Sequence, residues 1–354
     1  MTDRIKNAIV TPNISVIEAL ETLNHGTGGI LFVASAGEIL LGVLTDGDIR
    51  RHILAGRQLS DPVSMAMNDE PVVVRKGFSE EHVREIFLDR QLEAIPVLDD
   101  DGRLIDAIRW NDVFGKPRGF HTTIDVPVAI MAGGKGTRLQ PFTRILPKPL
   151  MPVGDIPILQ LIMDRFHEQG VSDFLVSLNH KSSLIRAYFS DVRLDYGLRF
   201  YDEDKPLGTA GSLKLMARDI DGTFILANCD TIIDTEYSCA IDYHRSHNNA
   251  ITIIASMQSV VLPYGVCDVG EGGMLENLRE KPRFDMLVST GVYVMESDVL
   301  DLIKDDTFTD ATDLIEMTKA AGRNVGVYPI AERSWLDIGQ IEELQDTLDR
   351  LGIR

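Results

Sequence analysis

A cluster of glycines followed by an arginine is the stretch of this sequence best suited to chemistry. Gly133, Gly134 and Gly136 stand close together and are followed by Thr137 and Arg138. Glycine lets a backbone turn sharply and approach a ligand that a Cβ would obstruct. The free amides of such a loop form an anion site, and a guanidinium adds a planar fork of donors suited to phosphate. The pattern predicts a phosphate-binding loop.

Two common phosphate loops do not fit the spacing of these glycines. A Walker loop needs Ser or Thr after Gly-Lys, whereas Gly136 follows Lys135. A dinucleotide fingerprint counted from Gly134 and Gly136 would need a glycine where Leu139 stands. A plain glycine-rich turn between a strand and a helix stays open as the alternative, and the rest of the chain has to decide.

Five further motifs of charged or small residues follow the glycine loop. They are Pro147-Lys-Pro149, Pro206-Leu-Gly-Thr-Ala-Gly211, Asn228-Cys-Asp230, Glu280-Lys-Pro282 and Trp335-Leu-Asp-Ile-Gly339. Prolines beside Lys148 and Lys281 stiffen the backbone and remove competing amide donors, which suits a charge that has to be held in place. Asp230 follows an apolar run, at the carboxyl end of a predicted strand, where open parallel sheets bind ligands. Taken alone, such an aspartate is better assigned to a turn or a helix cap.

The motifs in this order resemble the sugar-1-phosphate nucleotidyltransferase family. In that family an oxygen of a sugar phosphate attacks the α-phosphorus of a nucleoside triphosphate, and pyrophosphate leaves. The transition state spreads negative charge over phosphoryl oxygens, so positioning and cationic groups supply most of the catalysis and no nucleophilic side chain is needed. The resemblance implies a nucleoside triphosphate and a sugar 1-phosphate as substrates, with Mg²⁺ (or Mn²⁺) as cofactor.

The resemblance also implies a role for each matching residue. Arg138 would grip the leaving phosphates, Lys148 would neutralise the α-phosphate, and Lys281 would hold the sugar phosphate. Asp230, the fourth member of this catalytic set, would hold the metal together with Asp337. The expected nucleotide-binding residues are Ala132, Gly133, Gly134, Gly136, Thr137, Gly208, Thr209 and Gly211. The expected sugar-phosphate-binding residues are Tyr264, Gly265, Glu280, Lys281 and Thr290.

The choice of base and sugar rests on finer resemblances. The Leu-Gly-Thr-Ala-Gly sequence at residues 207–211 is similar to the corresponding motif of guanylyltransferases acting on mannose, heptose or amino-sugar 1-phosphates. The order of the chain, with a pair of regulatory domains before the transferase domain, resembles that of glucosamine-1-phosphate guanylyltransferases of bacterial nonulosonic (legionaminic) acid pathways. We therefore favour GMP transfer from GTP to glucosamine or a related hexose 1-phosphate, with uridylyl or thymidylyl transfer to glucose 1-phosphate as the alternative. A catalytically silent nucleotide-binding regulator is the alternative of another class.

That regulatory pair corresponds to an internal repeat in residues 1–115, detected at an offset of 64 positions. The apolar positions of the two copies, about 1–60 and 64–115, coincide without a gap, and each copy predicts a helix, a strand, a turn, a second strand and a closing helix. Each copy is too small to bury its sheet alone, so we expect the two to pack together. Residues 42–49 and 106–113 carry a resemblance to cystathionine-β-synthase-type (CBS) domains.

CBS domains use a Thr, and an Asp three positions later, to hold the phosphate and ribose of an adenosine nucleotide. Thr45 and Asp48 match this pattern, and Asp112 matches in the second copy, where Arg109 replaces the Thr. The resemblance implies a regulatory AMP or ATP site at Thr45, Asp48 and Asp112. Asp48 and Asp112 could equally cap the helices that follow them. We expect the module to be regulatory or to mediate homo-oligomer formation.

The rest of the chain predicts an α/β domain. Residues 116–126 contain turn formers and few apolar residues, which indicates a linker, and we assign the nucleotidyltransferase domain to residues 127–354. Strand and helix patterns alternate over 128–227, which is typical of a doubly wound, mostly parallel (Rossmann-like) sheet. With the N-terminal α+β CBS pair, this is the expected fold class. We expect the tail after Arg333 to be mostly helical.

The composition excludes several classes of function. A net charge of -19 argues against nucleic acid and anionic membrane as partners. Three cysteines without metal spacing argue against a disulfide framework and indicate a reducing compartment. The sequence shows no secretory signal pattern and no apolar run approaching the ~18 residues of a membrane span, so we expect a cytoplasmic protein. His244 and His247 lie in a polar helical stretch, and we expect both at the surface.

Overall fold

The chain forms two compact units, Met1–Gly119 and Phe120–Arg354. The computed structural model describes residues 5–24, 29–90, 92–115, 123–134, 136–140 and 142–337. The side chains of Arg138 and Asp337 lie outside this description, although their backbones are within it. Across the described ranges, no helix combines the length and the apolar character needed to cross a membrane.

The first unit contains two copies of one arrangement of strands and helices. The first copy has β1 (Ile9–Val10), α1 (Val16–Asn24), β2 (Ile30–Ala34), β3 (Leu40–Thr45) and α2 (Asp46–Leu54). The second copy has β4 (Val74–Arg75), α3 (Glu80–Arg90), β5 (Ala94–Leu98), β6 (Leu104–Arg109) and α4 (Trp110–Phe114). Short 3-10 helices cover Lys6–Ala8 and Val63–Met65. Each copy has a three-stranded sheet, in the orders β1-β2-β3 and β4-β5-β6, so the predicted repeat is confirmed.

The two copies meet at equivalent turns. Ile39 forms an isolated antiparallel bridge with Arg103, the residue 64 positions further along the chain. Two equivalent backbone hydrogen bonds flank the bridge, from Leu104 N to Glu38 O at 2.9 Å and from Leu40 N to Gly102 O at 3.4 Å. Because Ile39 and Arg103 occupy the same place in the repeat, an approximate twofold axis passes between them. The two copies therefore pack as one module, as expected.

The second unit alternates strands and helices along the chain. Its strands are β7 (Val128–Met131), β8 (Pro152–Val153), β9 (Ile156–Pro157), β10 (Asp173–Leu178), β11 (Gly197–Asp202), β12 (Thr223–Asn228), β13 (Thr231–Ile233), β14 (Ile251–Val261), β15 (Val266–Val269), β16 (Leu275–Arg279), β17 (Arg283–Glu296), β18 (Val325–Ile330) and β19 (Trp335–Asp337). Its α-helices are α5 (Ile158–His167), α6 (Ser182–Asp191), α7 (Gly208–Gly211), α8 (Leu213–Met216), α9 (Tyr237–Ser246) and α10 (Ala311–Ala320). Its 3-10 helices are Thr137–Leu139, Phe142–Arg144, Lys148–Leu150, Glu271–Gly273, Ser297–Leu302 and Glu332–Ser334.

A seven-stranded sheet forms the centre of this unit, in the order β11-β10-β7-β12-β17-β14-β18. All neighbouring strands are parallel except at β17, which runs antiparallel to β12 and β14. Val128 and Ile130 of β7 join one apolar core cluster and Ala129 joins the other, so β7 is buried on both faces. Helices α5, α6 and α9 supply the first cluster, whereas α7, α8 and α10 supply the second. The predicted doubly wound, mostly parallel sheet is confirmed.

A two-stranded ribbon extends from this sheet. Strands β14 and β17 stay paired out to Val261 and Arg283, and the β15–β16 hairpin continues the ribbon. Lys281 lies between β16 and β17, where the ribbon bends. Its φ of 46° is one that residues other than glycine rarely adopt.

The start of the C-terminal tail differs from the sequence prediction. Residues 335–337 form β19 rather than a helix, because they pair with β13 in antiparallel register. Leu336 is opposite Ile232, and both side chains are buried in the core. The prediction of a helical tail was wrong for these residues, and residues 338–354 lie outside the described part of the chain.

Candidate active site

A cavity of about 480 Å³ lies at the carboxyl ends of β7, β10 and β12. This is the edge at which parallel α/β sheets bind ligands. Eight residues predicted from the sequence line it: Gly133, Gly134, Gly136, Thr137, Lys148, Gly208, Thr209 and Asp230. Motifs up to about 100 residues apart in sequence are thus brought to one place.

Close packing explains two glycines of the phosphate loop. Gly136 has a φ of 60°, and a Cβ there would lie 2.9 Å from Cβ of Lys148 and 3.1 Å from Cγ2 of Thr143. A Cβ at Gly133 would lie 2.6 Å from Oε1 of Glu203. The 2.9 Å and 2.6 Å distances are shorter than real Cβ contacts, so a larger residue at Gly136 would displace the loop from Lys148, whereas one at Gly133 would displace the Glu203 carboxylate. The Thr143 hydroxyl also donates to Gly136 O at 2.8 Å, which fixes the loop from below.

Lys148 and Asp230 form an ion pair in the cavity, between Nζ and Oδ2. Their side chains are only 13% and 20% exposed, so the pair is largely withdrawn from water. Lys148 begins a 3-10 helix directly after Pro147, and Asp230 follows the end of β12. The arrangement places one cation and one carboxylate beside a loop suited to phosphate.

Asp230 is the candidate metal ligand whose side chain lines the cavity. Among the described side chains, no group of three or more His, Cys, Asp or Glu residues could hold a metal ion. Magnesium is commonly held by one or two carboxylates together with substrate phosphates, so such a group is not required. The backbone of Asp337 pairs with Thr231, the neighbour of Asp230, which brings both candidate metal ligands to adjacent positions of one ribbon.

The Gly208–Gly211 turn packs against the segment before α10. The amides of Ala210 and Gly211 donate to Thr309 O, each at 2.9 Å, and Thr309 N donates to Leu207 O at 2.8 Å. Gly208 and Thr209 line the cavity, whereas Gly211 is buried behind them. Ala132 is likewise buried, and its amide donates to Ser177 O at 3.1 Å.

None of the residues predicted to bind the sugar phosphate is among the described residues that line the cavity, although the main-chain oxygen of Thr290 accepts a hydrogen bond from Thr231, the neighbour of Asp230, at 3.1 Å. Tyr264, Gly265, Glu280 and Lys281 are exposed on the ribbon, where a Cβ at Gly265 would lie 3.1 Å from Oε2 of Glu280. Thr290 is buried in β17, and its hydroxyl donates to Ile254 O at 2.8 Å. The structure places the four ribbon residues at adjoining strand ends, and Lys148, unlike them, lines the cavity.

Several residues of the cavity were not predicted from the sequence. The most informative is Glu203, and the full set is Met131, Leu139, Ser177, Glu203, Pro206, Ser212, Asn228, Cys229, Phe308 and Asp310. Glu203 follows the end of β11, and its Oε2 accepts the Leu207 amide hydrogen at 3.2 Å. The rule that selected Asp230, a charged residue at the carboxyl end of a strand, would have selected Glu203 as well.

His244 corrects a second sequence prediction. It is fully buried rather than at the surface, between Thr252 Oγ1 at 2.9 Å from Nδ1 and Glu296 Oε1 at 3.1 Å from Nε2. Burial lowers the pKa of His244 from its ordinary value, although the neighbouring carboxylate opposes this effect. His244 therefore ties α9 to β14 and β17 and takes no part in the cavity. His247 is exposed, as expected.

The two CBS aspartates act as helix caps. The Thr45 amide donates to Oδ2 of Asp48 at 2.8 Å, and the Arg109 amide donates to Oδ2 of Asp112 at 3.0 Å. Thr45 also donates its hydroxyl to Asp48 at 2.6 Å. Both aspartates therefore contribute to capping, but from the third position of α2 and α4 rather than from before these helices, and a nucleotide ligand remains a prediction.

Comparison with known families agrees with this architecture. The nucleotidyl transferase family model matches residues 128–351, and the CBS domain model matches residues 1–55 and 63–118. Since the first match covers more than half of the sequence, the chain belongs to the nucleotidyl transferase family. Its N-terminal unit is a tandem CBS pair.

Relatives of several specificities share the second unit. A UTP–glucose-1-phosphate uridylyltransferase from Synechocystis sp. is 30% identical over 235 residues, or 60% of each chain. A mannose-1-phosphate guanyltransferase from Candida albicans is 30% identical over 227 residues, again 60% of each chain. The chain therefore spans about 60% of the length of these curated relatives. A provisional glucose-1-phosphate thymidylyltransferase from Bacillus anthracis, solved in complex with a sucrose, aligns with a TM-score of 0.50 and 21% identity over 64% of this chain and 94% of its own. At that identity the likeness concerns the fold alone.

Proposed function

We propose that this chain transfers a nucleotidyl group from a nucleoside triphosphate to a sugar 1-phosphate. The observation that carries the proposal is the single cavity that holds the phosphate loop, Lys148 and Asp230. A phosphate-binding loop beside a largely buried ammonium suits a reaction between two anions. The resemblance of the motifs supports the same conclusion.

The reaction needs no covalent enzyme intermediate. A phosphate oxygen of the sugar phosphate bonds to the α-phosphorus, the bond from that phosphorus to the bridging oxygen breaks, and pyrophosphate leaves. The amides of the phosphate loop would orient the triphosphate, and Lys148 would offset the charge that develops on the α-phosphate. Arg138 would hold the leaving phosphates. Lys281 and Glu280 would bring the sugar phosphate from the ribbon.

We propose Mg²⁺ (or Mn²⁺) as the cofactor. The donor set fits this ion, because the Asp230 carboxylate faces the cavity and already pairs with a cation, the Lys148 ammonium. Asp337 would supply the second carboxylate. Bound there, the ion would neutralise phosphate oxygens.

We favour guanine as the base, and one carboxylate of the cavity supports this choice. The Glu203 carboxylate can only accept hydrogen bonds, and guanine presents adjacent donors, N1–H and the N2 amino group, which match its two oxygens. Uracil and thymine present one donor flanked by carbonyl oxygens, so a carboxylate would face an acceptor. GTP is therefore the favoured donor, and glucosamine or a related hexose 1-phosphate is the favoured acceptor by resemblance. Uridylyl or thymidylyl transfer to glucose 1-phosphate is the alternative.

Pyrophosphate release is the measurement that tests the reaction. We expect release with GTP and an amino-sugar or hexose 1-phosphate in the presence of Mg²⁺, in a panel that crosses GTP, UTP and dTTP with these sugars. Asp230→Asn should turn over at least ~100-fold more slowly, because the metal is no longer held against the phosphates. No release with any pair would leave the silent nucleotide-binding regulator as the better reading. Near-normal turnover of Asp230→Asn at saturating Mg²⁺ would contradict the metal assignment.

Glu203→Gln tests the choice of base. The amide keeps the size of the side chain but replaces one acceptor with a donor, so the ratio of kcat/KM for GTP to that for UTP should fall by at least ~10-fold. Glu316→Gln makes the same change at an exposed carboxylate of α10 that pairs with Lys319, so it serves as the control and should leave the ratio unchanged. An unchanged ratio in Glu203→Gln would show that this carboxylate does not select the base.

We further propose that the CBS pair is a regulatory module that binds AMP or ATP, and that the chain assembles as a homo-oligomer. Thr45 and Asp48 form the stronger candidate site, because Arg109 replaces the Thr in the second copy.

A further inference from the structure

Lys181 binds a turn that stands next to the phosphate loop in sequence. Its Nζ donates to Thr143 O at 3.2 Å, to Arg144 O at 2.7 Å and to Ile145 O at 2.9 Å. A lysine ammonium has three donors, and all three are used on successive carbonyls. Lys181 itself has a φ of 57°, a left-handed conformation that is strained for a residue other than glycine. Strain of this kind persists where the surrounding structure holds a residue in place.

Burial alone does not hold this turn. Phe142, Ile145 and Leu146 are 55%, 78% and 40% exposed, and Arg144 is also exposed. Only Thr143 among residues 142–146 is buried. Since few apolar contacts fix the turn, its three bonds to Lys181 are a main restraint on its position.

This turn, residues 142–146, contacts the phosphate loop, and the phosphate loop packs against Lys148. The Thr143 hydroxyl donates to Gly136 O, and Thr143 Cγ2 lies 3.1 Å from where a Cβ of Gly136 would be. That same point lies 2.9 Å from Cβ of Lys148, the partner of Asp230. Lys181, Thr143, Gly136 and Lys148 therefore form a continuous series of contacts from α6 to the cavity.

We propose that Lys181 is a positioning residue that sets the shape of the phosphate loop and the placement of Lys148. It does so by holding residues 143–145 in one conformation. The inference rests on the proposed transferase function, and it adds a residue whose side chain does not line the cavity. It predicts that loss of Lys181 weakens the grip on the triphosphate and leaves the sugar phosphate largely unaffected.

Steady-state kinetics of the full chain with GTP and the sugar phosphate test this split. Lys181→Met should raise KM for GTP and lower kcat, with kcat/KM for GTP falling ~10- to 100-fold, because small displacements of positioning groups have effects of this size. KM for the sugar phosphate should change less than about threefold. Lys181→Arg keeps the charge and reaches part of the same carbonyl set, so it should restore most of the loss. Lys319→Met removes an exposed lysine, paired with Glu316 on α10, and should behave as the unaltered chain.

A second variant tests the route through the turn. Thr143→Val keeps the shape of the side chain but removes the hydrogen bond to Gly136 O. It should show the same bias toward the GTP KM, and the Lys181→Met/Thr143→Val double variant should lose less than the product of the two single losses, because both act on one contact series. Equal rises in both KM values accompanied by a lower Tm would show that Lys181 is merely structural. Kinetics of Lys181→Met within about twofold of the unaltered chain would also overturn the proposal.

Hydrogen exchange separates this inference from the proposed function. The amides of Leu139, Gln140, Ile145 and Leu146 all donate to backbone carbonyls of residues 136–142. They should exchange faster in Lys181→Met than in Lys319→Met, with no substrate present. If the unaltered chain releases no pyrophosphate, the transferase proposal fails while this measurement still decides whether Lys181 holds the loop. Unchanged exchange at these amides would overturn the positioning role.

Discussion

Cys229 stands between Asn228 and Asp230 and lines the cavity, yet its surroundings suppress thiol chemistry. Burial, followed by the negative charge of Asp230, raises the pKa of the Cys229 thiol to about 12, although Lys148 acts in the opposite direction. The thiolate is the reactive form of cysteine, and it is scarce far below the pKa. A cysteine beside the reacting groups is therefore compatible with a reaction that uses no thiol.

We expect Cys229 to resist alkylation at neutral pH. Cys239 and Cys267 are exposed, and both should react with iodoacetamide well before Cys229. Peptide mapping by mass spectrometry after timed alkylation would measure the order. Modification of Cys229 at the rate of the two exposed cysteines would contradict the burial-controlled pKa.

At the scale of elements, one buried histidine joins a helix to two strands of the sheet. Thr252 accepts a hydrogen bond from Asn249 at 3.0 Å, so its hydroxyl proton is free to be donated to Nδ1 of His244. Nε2–H can then donate to Glu296, which also accepts from Thr223. The network is satisfied by a neutral imidazole. Protonation would place a second donor against the Thr252 hydroxyl.

Stability should therefore fall in acid because of His244. Its pKa is lower in the folded than in the unfolded chain, so the unfolded chain binds the extra proton first. The stabilisation is complete above pH ~6.5 and is lost as the pH falls toward and through the lowered pKa. Urea unfolding between pH 5 and 8, a range of about one unit or more on each side of the ordinary histidine pKa of ~6.5, would measure how the free energy of unfolding changes with pH. His244→Gln should flatten it, whereas His247→Gln, from the exposed end of the same helix, should not.

The repeat offers a second prediction at this scale. Glu38 and Gly102 are equivalent turn residues, and both have positive φ, 63° and 81°. A side chain in this conformation is strained, so Glu38→Gly should stabilise the first unit by about 0.5–1 kcal/mol, and Gly102→Ala should destabilise it by a similar amount. Calorimetric unfolding of the full chain would measure both. A destabilised Glu38→Gly variant would show that the Glu38 side chain contributes more than the strain removes.

The elements were predicted better than the contacts between them. Apolar runs and alternation were sufficient for β7, β10 and β12, because each strand is buried on both faces and its pattern is local. The strand-end rule that selected Asp230 could also have selected Glu203, but the contact of Glu203 with Gly133 joins residues 70 positions apart, which no local pattern encodes. His244 was misplaced for the same reason, since Glu296 lies 52 positions away. β19 has only three residues and extends by pairing with β13, so its own sequence carried little information.

At the scale of the whole molecule, the proposed regulation would link the CBS pair to the proposed transferase activity of the second unit. An adenine nucleotide can change the transferase only if it binds two states of the chain with different affinity. Asp48 is already engaged with Thr45 and Arg51, so a ligand there would have to share a carboxylate that caps α2.

We expect AMP or ATP to bind the full chain at one strong site and to change substrate affinity about 5- to 150-fold. Asp48→Ala should abolish binding, whereas Asp112→Ala, at the equivalent cap in the copy that lacks the Thr, should have a small effect. Calorimetry paired with the transferase assay, each with and without the nucleotide, would measure both. Binding that survives Asp48→Ala unchanged, or no binding at all, would leave the pair as an oligomerisation module.

The strand order of the central sheet also affects how the chain folds during translation. Every strand of the CBS sheets finds its partners within residues 1–119, so that unit can close while the second is still being translated. β7 emerges next, but its neighbour β12 follows almost 100 residues later, and β12 in turn waits for β17. Until about residue 228 has left the exit tunnel, β7 lacks one of its two neighbours, and β12 lacks one of its own until about residue 296. Non-local pairings of this kind close slowly, so the unpaired edges of nascent β7 and β12 are sites where we expect a chaperone to bind.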